Sequence, residues 1–184
     1  MFFSFKASAH YDDAYFHSAN DPFTYKNKWM ADIRDNVRLN EMALPGTHDS
    51  GTYKRWEPMV GTQVLTIRKQ LDYGILVLDI RIRHTGNKFA LHHGKVFLNI
   101  MFDDVLNQIE NFLKENPTET VLFRLKEDCP ANNNNTQKMS KTLTDYLAKS
   151  PRYLNTSNSG ITMGEARGKY IILTDNYNFR GYPG

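Results

Sequence analysis

Leu76-Val-Leu-Asp79-Ile-Arg81-Ile-Arg83 is the stretch that decides the fold. In an extended chain successive side chains point to opposite faces. Leu78, Ile80 and Ile82 therefore share one face, and Asp79, Arg81 and Arg83 share the other. The aliphatic face calls for covering helices. The charged face must look into an interior that tolerates ionised groups. The C-terminal mouth of a (β/α) barrel is such an interior, and barrel active sites are built there.

Working outward, further apolar runs of strand length occupy Glu41–Leu44, Lys88–His92, Thr120–Leu125 and Lys169–Thr174, with the central run extending over Ile75–Ile82. Helical stretches are expected between them: Lys28–Asp35, Val64–Tyr73, Phe102–Glu115, Gln137–Leu147 and Thr162–Arg167. The strongest of these places Val105, Ile109 and Phe112 at i, i+4 and i+7. It should stop at Asn116-Pro117, because proline disfavours helical geometry in the residue before it. Strands that read as continuous apolar runs and alternate with helices predict parallel pairing with helices outside. The expected class is thus α/β of the (β/α)8 TIM-barrel type. About five strands are visible where a closed barrel needs eight, so the reading is an N-terminal portion of the barrel, truncated after about the fifth strand. Residues 1–27 are aromatic and polar without periodicity and read as an extension. Residues 28–184 read as the domain.

Composition bounds the partners. The 184 residues carry a net charge of +3, with 40% apolar and 23% charged residues. These are globular values. The mild positive charge suits approach to phosphate or anionic lipid, and the chain lacks the Lys/Arg runs of a nucleic-acid groove. No nucleic-acid partner is expected. The apolar start Met1-Phe-Phe is shorter than the ~7–15 residues of a secretory core, and no 18-residue apolar stretch is present. Neither a signal peptide nor a membrane span is visible. The aromatics Phe2, Phe3, Phe5, Tyr15 and Phe16 would either touch lipid or cap the barrel bottom. The single cysteine, Cys129, excludes an internal disulfide and reads as a loop thiol rather than a nucleophile. Asn132–Asn135 reads as a loop tip, and His10, His17 and His84, in polar context, receive no role. Asn134-Asn-Thr and Asn155-Thr-Ser fit the glycosylation acceptor pattern.

Chemistry concentrates in three clusters at strand ends: Leu44-Pro-Gly-Thr-His48-Asp49-Ser-Gly, Asp79-Ile-Arg81, and Leu91-His92-His93-Gly94. An imidazole, with an unperturbed pKa of ~6.5, suits a general base near neutrality. A second histidine, at 92 or 93, would be the matching acid. Each such transfer contributes ~10²–10⁴ in rate. Arg81 can hold a phosphate oxygen bidentately. These parts argue for phosphodiester chemistry. Ligand-type residues also make a metal site an alternative, but Arg81 lies among them and a fixed cation occupies the ground a divalent ion would take. The metal-free reading is preferred, with no metal and no cofactor expected.

Together with Phe112-Leu-Lys-Glu-Asn-Pro-Thr-Glu-Thr-Val-Leu-Phe-Arg-Leu-Lys126, these clusters resemble the X domain of bacterial phosphatidylinositol-specific phospholipase C, from about residue 28 to residue 175. The resemblance implies a distorted (β/α)8 barrel that cleaves phosphatidylinositol to diacylglycerol and inositol 1,2-cyclic phosphate. By position, His48 resembles the general base acting on the inositol 2-hydroxyl, and His93 the general acid that protonates the departing oxygen. Asp79 resembles the carboxylate that orients the acid. Asp49 and Arg81 resemble the pair that steadies the pentacoordinate phosphorus. Calcium-dependent relatives carry an acidic residue at the Arg81 position, so arginine implies the metal-independent branch. Lys126 resembles a residue on the inositol side. At the end of strand five, where some members carry an inositol-contacting arginine, this chain has Asp175, which is expected to accept a hydrogen bond from a ring hydroxyl. The implied partner is phosphatidylinositol or its glycosylated forms, met by peripheral contact at a membrane surface, and family members are often secreted. The rival readings are an inactive remnant or phosphoinositide-binding module, and a metal-dependent glycerophosphodiester phosphodiesterase.

Overall fold

The central run forms the longest strand of a six-stranded sheet. The computed structural model describes residues 27–54, 59–174 and 179. In chain order the elements are β1 (Gly46–Thr47), α1 (Ile67–Asp72), β2 (Val77–Thr85), β3 (Lys88–His93), β4 (Val96–Met101), α2 (Phe102–Glu115), β5 (Val121–Glu127), α3 (Met139–Leu147), α4 (Met163–Ala166) and β6 (Tyr170–Leu173). Single 3-10 turns occupy Trp29–Asp32, Leu39–Glu41 and Thr52–Lys54. The sheet runs β4-β3-β2-β5-β6, with β1 also paired to β2. It is an open sheet, of mixed direction.

Alternation on β2 is as the sequence reading requires. Leu78, Ile80, Ile82 and His84 are buried, while Asp79, Arg81 and Arg83 lie on the half-exposed face. β5 and β6 continue in parallel, with Asp79 opposite Arg124 and Arg81 opposite Lys126. The buried face packs against α2, whose Phe102, Val105, Ile109, Phe112 and Leu113 are fully covered. Phe102 meets Phe123 edge-on at 6.0 Å, and Phe123 stacks on Tyr170 at 5.7 Å. Each such burial contributes ~1.5–3 kcal/mol. α2 ends where expected: the Asn116 N–H and side-chain amide both donate to the Phe112 carbonyl, at 2.8 and 2.9 Å, before Pro117.

Several expectations need correction. Parallel pairing fails for β3 and β4, which form an antiparallel meander on β2. The cause is local. Gly86 and Asn87 both take positive φ, 55° and 57°, the backbone of a two-residue hairpin turn. β4 lies outside the runs expected to form strands. Its inward Leu98 and Ile100 alternate with exposed Phe97 and Asn99, the pattern of a half-covered antiparallel strand. Glu41–Leu44 is no strand; the chain turns at Leu39–Glu41, and the first strand starts at Gly46. Lys28–Asp35 shrinks to one 3-10 turn, and α1, α3 and α4 are shorter than their periodic stretches.

The asparagine run is a clasp rather than a free tip. Asn134 Oδ1 accepts the Gly86 N–H at 2.9 Å, Asn135 Oδ1 accepts the Asn87 N–H at 2.8 Å, and the Asn132 amide donates to Thr85 Oγ1 at 2.7 Å. His84 is buried, its Nε2 2.9 Å from Thr142 Oγ1, and desolvation lowers its pKa. Cys129 is buried as well. No helix among the described residues is long and apolar enough to cross a membrane. The N-terminal aromatics, His10, His17 and Asp175 lie outside the described residues.

Candidate active site

A gap in the pairing of β2 makes room for the site. On the edge away from β5, β1 pairs with Val77 and Leu78, and β3 pairs with residues 82–85. The loop after β1 fills the interval. The Ser50 N–H donates to the Asp79 carbonyl at 3.0 Å, and Ser50 Oγ accepts the Asp79 N–H at 2.9 Å. His48 and Asp49 are thereby delivered beside Asp79 and Arg81.

The loop is tightly held. Asp49 adopts φ of 47°, a left-handed conformation that its short polar side chain tolerates. Its carbonyl accepts both the N–H and the hydroxyl of Thr52, at 3.0 and 2.9 Å. Gly51 passes so close to β3 that a Cβ would stand 2.6 Å from Leu91 Cδ2. From α1 the fully buried Gln70 amide donates to the carbonyls of Ser50 and Leu65 at 2.9 and 2.8 Å, and its oxygen accepts from Thr47 Oγ1 at 2.7 Å.

Asp49 is the hub of charge. Its side chain is 1% exposed, and Oδ2 lies 3.1 Å from His48 Nε2 and 3.3 Å from His93 Nε2. Arg81 Nε approaches Asp49 Oδ1 at 2.5 Å. The same guanidinium reaches Asp79 Oδ2 at 3.0 Å and Asp128 Oδ1 at 3.4 Å. His48 Nδ1 lies 3.3 Å from both Asp79 Oδ2 and Arg81 Nη2. Lys126 Nζ stands 3.6 Å from Asp128 Oδ1, and Arg124 Nη1 stands 3.9 Å from Asp79 Oδ1. Both Asp49 oxygens and Asp79 Oδ1 are buried and receive no aligned hydrogen bond, so charge alone holds them.

Burial pushes the Asp49 carboxyl above its usual range, against the opposing pull of Arg81, His48 and His93. For Arg81 desolvation works against the charge, but the hydrogen bond and charge of Asp79, then the charges of Asp49 and Asp128, outweigh it and raise the pKa.

His48, Asp49, Asp79, Arg81, His93 and Lys126 thus come together in one patch. The pairing differs in one respect from what the resemblance implies. The carboxylate that reaches His93 is that of Asp49, whereas Asp79 contacts His48 and the two arginines. Of the adjacent histidines, His93 enters the patch. His92 is buried with Nδ1 3.7 Å from Cys129 Sγ, and burial lowers its pKa while raising that of the thiol. Sequence reasoning missed Gln70, Arg124 and Asp128. The last two had a signal: with Lys126 they share the parity of one strand face.

As a metal site the patch is poorly suited. His48, Asp49 and Asp79 offer ligand atoms within 4.8 Å of one another, but Arg81 already sits on both carboxylates.

Two imidazoles sharing one carboxylate oxygen beside a guanidinium, on a barrel-type strand face, invite comparison with known phosphodiesterases. Residues 42–176 match the family described as phosphatidylinositol-specific phospholipase C, X domain. The chain belongs to this family. A Listeria monocytogenes 1-phosphatidylinositol phosphodiesterase is 35% identical over 159 residues, which cover 82% of this chain and 49% of that protein. A solved Staphylococcus aureus phosphatidylinositol-specific phospholipase C superposes with a TM-score of 0.76 at 26% identity, covering 82% of this chain and 53% of the other. The Listeria monocytogenes phosphatidylinositol-specific phospholipase C gives 0.70 at 29% identity, with 84% and 58% covered. The fold is therefore that of part of the phospholipase C barrel, and the chain spans about half the length of the curated relatives it matches.

Proposed function

We propose that this chain carries the reaction centre of a phosphatidylinositol diacylglycerol-lyase that works without a metal. The observation that supports it most is the shared Asp49 oxygen, 3.1 Å from His48 and 3.3 Å from His93, with Arg81 across the same carboxylate. A base, an acid and a phosphate-binding cation then stand within one substrate's reach.

In the proposed reaction His48 takes the proton of the inositol 2-hydroxyl. That oxygen attacks phosphorus, and the five-membered cyclic phosphate closes. The bond from phosphorus to the glycerol oxygen breaks, and His93 donates a proton to the departing diacylglycerol. Arg81 offsets the charge that builds on the non-bridging oxygens. Such preorganised donors commonly contribute about 3–4 kcal/mol. Asp49 keeps Arg81 and both imidazoles in place, and Asp79 steadies His48. Lys126, in register with Arg81, faces the inositol ring. The relatives are named 1-phosphatidylinositol phosphodiesterase, which supports phosphatidylinositol as substrate. Residues 28–184 are assigned to the X domain and residues 1–27 to an extension.

One observation favours a second reading: the compact His48, Asp49 and Asp79 cluster is of ligand type. A metal-dependent phosphodiesterase would lose activity to a chelator and regain it with a divalent ion.

The acid and base roles are separated by leaving-group dependence. His93→Ala should be severely slow on phosphatidylinositol yet recover on an inositol phosphodiester with a p-nitrophenol leaving group, which needs no protonation. His48→Ala should be slow on both. Equal recovery of the two variants would refute the assignment.

A further inference from the structure

Asp128 belongs to none of the three clusters from which the chemistry was read, yet it touches more of the site's framework than any of them predicts. It lies one residue past the end of β5, and its own N–H donates to the Ile82 carbonyl at 2.9 Å, which fixes it beside the top of β2. Its side chain is 9% exposed. One carboxylate oxygen, Oδ1, sits 3.4 Å from Arg81 Nη1 and 3.6 Å from Lys126 Nζ. The other, Oδ2, accepts the backbone N–H of Gly94 in a short hydrogen bond.

Gly94 is the turn residue that follows His93. It takes φ of 54° and opens the reversal from β3 into β4. A backbone amide directly after the proposed acid is thus tied to the same carboxylate that restrains the phosphate-binding guanidinium and the inositol-side ammonium. Three strands, β2, β3 and β5, converge on one side chain.

We propose that Asp128 is a positioning residue: it clamps the His93–Gly94 turn to Arg81 and Lys126, and so sets the distance between the acid and the phosphate-binding cation. The proposal rests on the lyase reading for its catalytic consequence but not for the clamp. Asp128 needs no contact with substrate. With the clamp in place, the turn that carries His93 cannot swing away from β2 when Arg81 moves from carboxylate to phosphate. Without it, the turn keeps the His93–Asp49 contact and the β3–β4 pairing, in which the register already shifts between Ala90 and His92.

The test uses the 184-residue chain with Asp128→Ala, Asp128→Asn and Asp128→Glu. The first readout is hydrogen exchange of the Gly94 amide in the absence of substrate. Exchange should speed at least about 10-fold in Asp128→Ala, while amides of α2 and β5 keep their protection. Asp128→Glu, which keeps the carboxylate, should restore part of the protection. The second readout is turnover of phosphatidylinositol in mixed micelles. For a group that positions the acid, kcat should fall about 100-fold in Asp128→Ala with a much smaller change in KM, because a displacement on the order of 1 Å is costly in the transition state. Asp128→Glu should recover part of kcat and Asp128→Asn less of it. Wild-type exchange at Gly94 in Asp128→Ala would overturn the clamp. A released Gly94 amide with unchanged kcat would overturn its role in positioning. A folded wild-type chain with no turnover would refute the lyase reading instead, and the Gly94 amide would still decide the clamp.

Discussion

Asp49→Asn should leave the protein as stable as before, or more so, while removing most of its activity. The first half follows from the sign of the carboxyl's shift. Desolvation raises the Asp49 pKa above 3.8 despite the cations around it. Between 3.8 and that raised value the folded state holds more protons than the unfolded one, so stability falls as pH rises through the window. Above it the deficit is constant, and at neutral pH the ionised group destabilises the fold. Asparagine removes that charge and keeps the shape, and Arg81 retains Asp79 and Asp128 as counter-charges. The second half follows from distance. An imidazolium formed at His48, 3.1 Å from Asp49 Oδ2, would gain about 5 kcal/mol from the carboxylate at an effective dielectric near 20. Deletions of comparable groups cost about 3–4 kcal/mol, so kcat should drop about 10²–10³-fold. Differential scanning calorimetry and cyclic phosphate release on the same preparations measure both. A stability loss of 3–5 kcal/mol, the usual cost of breaking a buried pair, would lower Tm by about 6–20 °C and refute the reasoning. So would wild-type turnover.

Other consequences are open to measurement. Burial holds the His84 pKa below 6.5, so the protein should lose stability as pH falls from 6.5 toward the lowered value; His84→Gln should flatten this limb in urea midpoints taken at pH 7 and pH 5. His92 contributes in the same direction. Gln70→Leu should cost about 1–3 kcal/mol for each polar partner it orphans, among Thr47, Ser50 and Leu65, and should slow turnover through the His48 loop; urea unfolding and rate assays check both. Phe123→Ala, which empties the stack between Phe102 and Tyr170, should destabilise by about 3–5 kcal/mol in the same unfolding assay.

Much of the architecture is legible in the run from Leu76 to Arg83, because strand periodicity alone separates its aliphatic face from its charged one. α2 is legible for the same reason at helical spacing, and its end is written in Asn116-Pro117. The meander is harder. The turn signal is a Gly86-Asn87 pair whose positive φ values have to be inferred, and Val96–Met101 carries apolar residues on both faces, which blurs its alternation in the sequence. Once strands are assumed to alternate with helices, nothing in Lys88–His92 alone announces an antiparallel partner.

The site divides in the same way. His48 and His93 stand at strand ends, Arg81 lies on the charged face of β2, and each carries a residue type that demands explanation. Asp128 shares a strand face with Lys126, but its partners, like those of Gln70, lie far away in sequence, 34 residues for Asp128 to Gly94 and 20 for Gln70 to Ser50. The pairing of carboxylates with histidines was also out of reach. Whether Asp49 or Asp79 faces His93 depends on how the loop after β1 wedges into the gap beside β2, which no local pattern encodes.

The most direct test of the central claim is phosphorus NMR of the purified 184-residue chain with phosphatidylinositol in detergent and excess chelator. The account predicts a growing five-membered cyclic phosphate signal that disappears in His48→Ala and in His93→Ala. A well-folded wild-type chain that gives no such signal, or a signal that persists in His48→Ala, would contradict it.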